Sequence, residues 1–175
     1  MADTEIAWQG KFIRVLVKDG WECVERIRCT GVVVIVPITP DGELVLVEQF
    51  RPPVGRQVLE LPAGLVGDEP EFDGESIADA ARRELLEETG FDAVEMRHLF
   101  DAGTSAGLTG EIPGFYLATG LTRVGPGGGT PRENIEVHVI PLPEVESWLD
   151  DCRSAGKVID AKIYAALHIA KTQLA

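Results

Sequence analysis

Between Ser76 and Gly90 the chain is bound to form a helix, and the way that helix ends constrains the structure around it. Ser76 with Asp79 three residues later makes a capping box, while Gly90 suits the left-handed residue that follows a helix, with Phe91 folding back on Leu85 or Leu86. The spacing predicts a helix from about Ile77 to Glu88. At about 100° per residue, Ala78, Ala81, Leu85 and Leu86 make an apolar face, and Glu84, Glu87 and Glu88 fall within roughly a 100° arc on the other side. Acids in a last turn oppose the negative end of the helix dipole at about 0.3 to 1 kcal/mol each, and like charges one turn apart add a few tenths. Such crowding is unfavourable by about 1 to 3 kcal/mol unless a cation offsets it. Hard carboxylate oxygens in this number suit Mg²⁺ or Mn²⁺, which bind through a few carboxylates together with substrate phosphates. The simpler alternative is an exposed acidic face with Arg83 paired to Glu87.

Segments rich in β-branched residues precede and follow the helix. Strands are predicted at Phe12–Val17, Glu22–Ile27, Gly31–Ile38, Glu43–Phe50, Gln57–Leu61, Glu95–Asp101, Phe115–Thr119 and Ile135–Ile140, with turns at Asp19-Gly20 and Pro40-Asp41-Gly42. The unbroken apolar run from Gly31 to Ile38 demands cover on both faces. Helical spacing returns at Glu144–Cys152 and Ile159–Lys171, the latter with Ile163, Ala166, Leu167 and Ala170 on one side. The stretch Gly125-Pro126-Gly127-Gly128-Gly129-Thr130-Pro131 lacks the Gly-Lys-Ser/Thr ending of a phosphate loop and is expected to be a flexible surface connection.

The order of residues around the acids resembles the signature of the Nudix hydrolases, Gly-x5-Glu-x7-Arg-Glu-U-x-Glu-Glu-x-Gly-U, where U is apolar. Glu75, seven further residues, then Arg83 through Phe91 match it in register. The leading glycine departs from the pattern. Glu69 stands where it should be, and its natural counterpart is Gly64 in Leu61-Pro62-Ala63-Gly64-Leu65, so the loop entering the helix is five residues longer. Loop entropy rises slowly with length, so the insertion is tolerable. The resemblance implies an α/β/α sandwich with a mixed sheet, preceded by a small N-terminal antiparallel β region. One domain over residues 1–175 is expected, with about 1–30 used in dimerisation. It also implies Mg²⁺ (or Mn²⁺) held by Glu84, Glu87, Glu88 and the backbone carbonyl of Ala63, with Arg83 orienting the glutamates.

Within that family, Trp21-Glu22-Cys23-Val24-Glu25-Arg26, Glu48-Gln49-Phe50-Arg51 and Leu59-Glu60-Leu61-Pro62-Ala63-Gly64 resemble the segments before the signature in ADP-ribose and ADP-sugar pyrophosphatases. The resemblance implies that Trp21 stacks on the base, that Glu22, Arg26, Arg51 and Leu65 contact substrate, and that some contacts cross a dimer interface. Indole faces stack well and guanidinium forks suit diphosphate oxygens. Thr104 to Glu111 resembles the loop bearing the base that activates water, which makes Glu111 the candidate base beside Arg83 and Glu87. Ala106 stands where the subfamily carries a proline associated with ADP-ribose preference.

Three activities follow as expectations. The first is hydrolysis of ADP-ribose to AMP and ribose 5-phosphate. The second is hydrolysis of another compound such as GDP-mannose, NADH or a dinucleoside polyphosphate. The third is a silent nucleotide-sugar binding module, which should have lost the glutamates that this chain keeps. A net charge of −13 and a pI near 4.6 argue against a nucleic-acid partner. Without a basic leader at Met1 to Glu5 or a long apolar run, no membrane role is expected and a cytoplasmic location is. Cys23, Cys29 and Cys152 are odd in number and fit a reducing compartment, and His98, His138 and His168 are scattered without metal-ligand spacing.

Overall fold

The computed structural model describes residues 4–130 and 133–173. Three antiparallel strands open it: β1 (Thr4–Gln9), β2 (Ile13–Lys18) and β3 (Trp21–Arg26). Then come β4 (Gly31–Pro37), β5 (Glu43–Arg51), β6 (Arg56–Glu60) and β7 (Ala63–Val66). Helix α1 (Ile77–Thr89) is followed by β8 (Phe91–Asp92), β9 (Glu95–Asp101), β10 (Gly114–Thr119), β11 (Thr122–Arg123) and β12 (Glu136–Pro141). Helix α2 (Val145–Ser154), β13 (Val158–Ile159) and α3 (Lys162–Gln173) complete the described residues.

The layers follow from the pleat of β4. Its alternate residues serve two cores: Val34 and Val36 pack with Val145, Leu149, Ile163 and Ala166 of α2 and α3, while Val33 and Ile35 pack with Ala80, Ala81 and Leu85 of α1. The apolar run therefore lies between helices on both faces, and an α/β/α sandwich results. Two four-stranded sheets, ordered β7-β4-β10-β9 and β12-β5-β6-β13, form the middle layer, with β4 and β10 parallel, β6 and β13 parallel, and the other neighbours antiparallel. A bridge between Ile38 and Leu44 links them.

Each predicted strand is present within a residue or two at its ends. The last helix begins at Lys162 rather than Ile159, because Val158 and Ile159 pair with Val58 and Leu59 as β13. Ser76 caps α1 as expected, accepting from the Asp79 amide at 3.1 Å, and Gly90 ends it at φ 74°. The predicted faces of α1 need correction. Leu86 is 41% exposed, whereas Glu88 is only 5% exposed and Glu84 is largely buried. Two of the acids thus lie inside the buried arc with Ala80, Ala81 and Leu85. The side of α1 facing β7 is the side that carries Glu84 and Glu88.

Candidate active site

Strand β7 meets α1 so closely that a side chain at Gly64 would displace Glu84: a Cβ there would lie 1.9 Å from Glu84 Cδ. This contact identifies Gly64 as the counterpart of the signature glycine despite the longer loop. One residue earlier, the Ala63 amide donates to Glu88 Oε2 at 3.1 Å. The strand backbone therefore lies against two of the three glutamates.

Arg83 organises the rest. Its Nη2 donates to Glu75 Oε1 at 3.0 Å and to the Leu65 carbonyl at 3.1 Å, Nε reaches Glu75 Oε2 at 3.3 Å, and Nη1 reaches Glu84 Oε1 at 2.8 Å. Glu87 lies 3.6 Å from Nη1. Phe72, contributed by the lengthened loop, stacks its ring 4.1 Å from the guanidinium carbon. All this fixes Arg83 as a fork that orients Glu75 and Glu84. Leu65 takes part through its carbonyl, and its half-buried side chain lines neither cleft described below.

Burial makes the ionised acids expensive. Glu84 is pushed up to about 7 by desolvation, which outweighs Arg83, and Glu87 and Asp68 add to the rise. Glu88 is held well above the usual carboxylate range by burial, against the Ala63 hydrogen bond and with repulsion from Glu84 and Glu133. Glu75 moves the opposite way, lowered chiefly by its bonds to Arg83. The fold thus maintains two carboxylates whose partners only partly offset the cost of burying their ionised forms.

These acids line a cleft of about 420 Å³ that also receives Asp68, Glu69 and Glu71 from the lengthened loop and Thr130 and Glu133 from beyond the glycine stretch. A wider cleft of about 790 Å³ is lined by Arg26, Arg51, Glu60 and Glu111 over an apolar wall that includes Val34, Leu61 and Phe115. Ala63 stands between them: it lines the wide cleft while its amide holds Glu88 of the acidic one. Arg26 donates Nε to Glu111 Oε1 at 2.6 Å, and Arg51 donates Nε to Glu60 Oε2 at 2.6 Å.

The structure groups the expected residues unevenly. Arg26, Arg51, Ala63 and Glu111 share the wide cleft, and Arg83, Glu84, Glu87 and Glu88 share the acidic one. Trp21 is 64% exposed with its indole N–H on the Gly107 carbonyl, and Glu22 is exposed beside it; neither lines either of these two clefts.

Three features escaped sequence reasoning. Glu133 enters the acidic cleft, although nothing around Thr130 to Glu133 in the sequence marks it. Asp160 and Lys162 enter the wide cleft, signalled only by an aspartate two residues before α3, where the Lys162 amide donates to Asp160 Oδ1 at 2.8 Å. The glycine stretch, expected to be a loose connection, is instead docked on α1: Gly128 and Gly129 donate to the carbonyls of Glu88 and Glu87 at 2.8 and 3.0 Å. Pro131 lies outside the described residues. His138 is likewise less isolated than its sequence position implies. It bonds buried Glu48 at 2.9 Å, and with Glu136 these form the one triad of potential ligands within 4.8 Å among the described residues. Lys157 Nζ already sits 2.6 Å from Glu48, so an ammonium fills the role of the cation there.

A model of the NUDIX domain family matches residues 28–155. The chain belongs to the Nudix family and is a Nudix hydrolase. Among its relatives, a methanol dehydrogenase activator of Bacillus methanolicus is 30% identical over 152 residues, 85% of this chain and 76% of that protein. An ADP-ribose pyrophosphatase of Mycobacterium tuberculosis is 34% identical over 83% of this chain, which spans 65% of that enzyme's length. A GDP-mannose pyrophosphatase of Yersinia enterocolitica is 31% identical over 90% of this chain and 87% of that enzyme. The crystal structure of an ADP compounds hydrolase superposes with a TM-score of 0.74 at 24% identity, covering 99% of this chain and 93% of that one, and shares the fold. No helix among the described residues is long and apolar enough to cross a membrane.

Proposed function

We propose that this hydrolase cleaves the diphosphate bond of a nucleoside diphosphate sugar, foremost ADP-ribose, adding water to release AMP and ribose 5-phosphate. The observation that carries the reading is Ala63, which lines a cleft bearing two arginines and hydrogen-bonds Glu88 of a second cleft lined by the three signature glutamates. Glu84, Glu87, Glu88 and the Ala63 carbonyl would hold Mg²⁺ or Mn²⁺. The chemistry supplied by such an ion would be to offset the negative charge of the diphosphate as it reacts. Arg83 keeps Glu84 in place, and Arg26 and Arg51, each tied at Nε, offer their Nη groups to the diphosphate. Lys162 lies in the same cleft as a further contact for the polar parts of the substrate.

Two carboxylates are candidates for the base that takes the water proton. Glu111 is the one drawn from resemblance, and it is engaged by Arg26 in the wide cleft. Glu133 lines the acidic cleft with the proposed metal ligands, and this favours it. Trp21 and Glu22 belong to the reading through a homodimer, in which the N-terminal sheet of one copy brings them to the other's cleft. Ile6, Trp8, Phe12 and Ile13, all substantially exposed on that region, support such pairing. The whole chain acts as one cytoplasmic domain in this reading. GDP-mannose is the second substrate to consider, favoured by the long match to the Yersinia enzyme and by Ala106.

A panel of nucleoside diphosphate compounds incubated with Mg²⁺ or Mn²⁺, with monophosphates resolved by chromatography, tests this. AMP and ribose 5-phosphate should appear from ADP-ribose with kcat/KM at least about tenfold above that for GDP-mannose, and Glu88→Gln should lower turnover at least about a hundredfold. The true base should lose about a hundredfold or more on change to Gln, and the other carboxylate far less. If no diphosphate compound yields a monophosphate with either ion, the reading is wrong.

A further inference from the structure

The glycine stretch spans the distance between the helix that carries the glutamates and the loop that carries Glu133. Its hydrogen bonds to the end of α1 are all backbone. Val124 and Gly125 donate to the Gly90 carbonyl at 2.8 and 3.1 Å, and Gly128 and Gly129 donate to those of Glu88 and Glu87. These last carbonyls belong to an unpaired helix end, so the amides also meet the negative pole of the dipole. Only glycine permits the approach: a Cβ on Gly127 would lie 2.4 Å from the Thr89 carbonyl carbon and 2.7 Å from the Glu88 oxygen, and one on Gly90 would lie 2.2 Å from the Gly125 oxygen. The chain then leaves at Thr130 and returns to the same point, where the Ile135 amide donates to the Gly128 carbonyl at 3.2 Å. Within that return the Thr130 amide and hydroxyl grip Glu133 Oε2 at 2.7 and 2.9 Å.

We propose that Gly127, Gly128 and Gly129 are a positioning clasp that locks the loop bearing Glu133 to the main chain of Glu87 and Glu88. The inference rests on the reading of Glu133 as the base and adds what holds it in register with the diphosphate. Two successive amides bond the very residues whose side chains face the acidic cleft, so the loop cannot slide along α1 without breaking both. An error of about 1 Å in placing a catalytic group can reduce rate about a hundredfold, which is the scale on which such a clasp acts.

Gly127→Ala tests it, with Gly42→Ala as the control. Gly42 has a similar φ of 76° and nothing within 4 Å of a Cβ, so its change to Ala brings backbone strain without a clash. Gly127→Ala should lose about 10- to 100-fold in kcat with KM and the half-saturating Mg²⁺ concentration within about twofold of wild type. Gly42→Ala should keep kcat within about twofold even though its Tm falls. If Gly127→Ala does not fold, Gly128→Ala takes its place; its Cβ would meet only the Ile135 oxygen at 3.8 Å, but φ of 106° disfavours it, and the same selective loss of kcat is expected. A kcat within about twofold of wild type in the folded variant, or a loss seen in Mg²⁺ dependence instead, overturns the clasp. Glu133→Gln separates the two ideas. Full turnover in Glu133→Gln defeats the base assignment and with it the clasp, while an inactive Glu133→Gln beside a fully active clasp variant defeats the clasp alone.

Discussion

Raising the pH of the metal-free protein should weaken it, and Mg²⁺ should reverse the effect. Glu84 shifts from 4.5 to about 7 on folding, so its neutral form stabilises the fold fully below about pH 4.5 and that stabilisation is lost as pH rises through about 7. The shift corresponds to about 3 kcal/mol, and for a chain of this size about 6 to 12 °C in Tm. Glu88 titrates in the same direction because it too is buried. Glu75, held down by Arg83, acts oppositely, as does Glu48, where Lys157 and His138 outweigh the upward push of burial. Their contributions are present above about pH 4.5 and fade below it, so stability should peak near about pH 5. Binding of a divalent cation needs both glutamates ionised, so it must release protons below about pH 7 and stabilise most above it. Melting curves between about pH 5 and 8.5, with and without saturating Mg²⁺, and calorimetry in buffers of different ionisation enthalpy measure these quantities. Glu84→Gln should flatten much of the pH dependence and make the metal-free protein more stable at about pH 8. A metal-free Tm indifferent to pH over this range, or a Mg²⁺ shift as large at about pH 5 as at 8, would refute the reasoning.

Gly64→Ala places a methyl where the Glu84 carboxylate lies, so turnover should drop about a hundredfold or more and the Mg²⁺ requirement rise, while circular dichroism remains that of the folded protein. Arg83→Lys keeps the charge but loses the two-pronged grip on Glu75 and the stack on Phe72; stability should fall by about 1 to 3 kcal/mol in urea titrations, with turnover falling as well. An unchanged urea midpoint would show that the fork geometry contributes nothing to the fold.

Much of the molecule was legible because its signals are local. Ser76, Asp79 and Gly90 act within a turn of themselves and bracket α1 closely, and the β-branched run at Gly31 forecast a strand covered on both faces. Hydrophobicity alone does not reveal which faces of α1 are buried. Glu88 is buried and Leu86 exposed, since the face toward β7 is occupied by the site rather than by apolar packing alone. The glycine stretch misled for a related reason. Glycine marks freedom in a sequence, yet here it marks a close approach of two backbones, and which of the two applies depends on a helix end some 35 residues earlier in the chain.

By itself, then, the sequence determined the helix, its caps, the longer strands from β2 onward and the set of acids that identify the family, because each depends on neighbours within a few bonds or turns. Tertiary structure alone decided which acids are buried, that Glu133 joins Glu88 in one cleft, that Arg26 and Arg51 are tied by Glu111 and Glu60, and that Lys162 reaches the wide cleft. Those are relations between residues tens of positions apart. Their energies come from desolvation and from strand pairing across the sheets, which exist only once the chain has closed on itself.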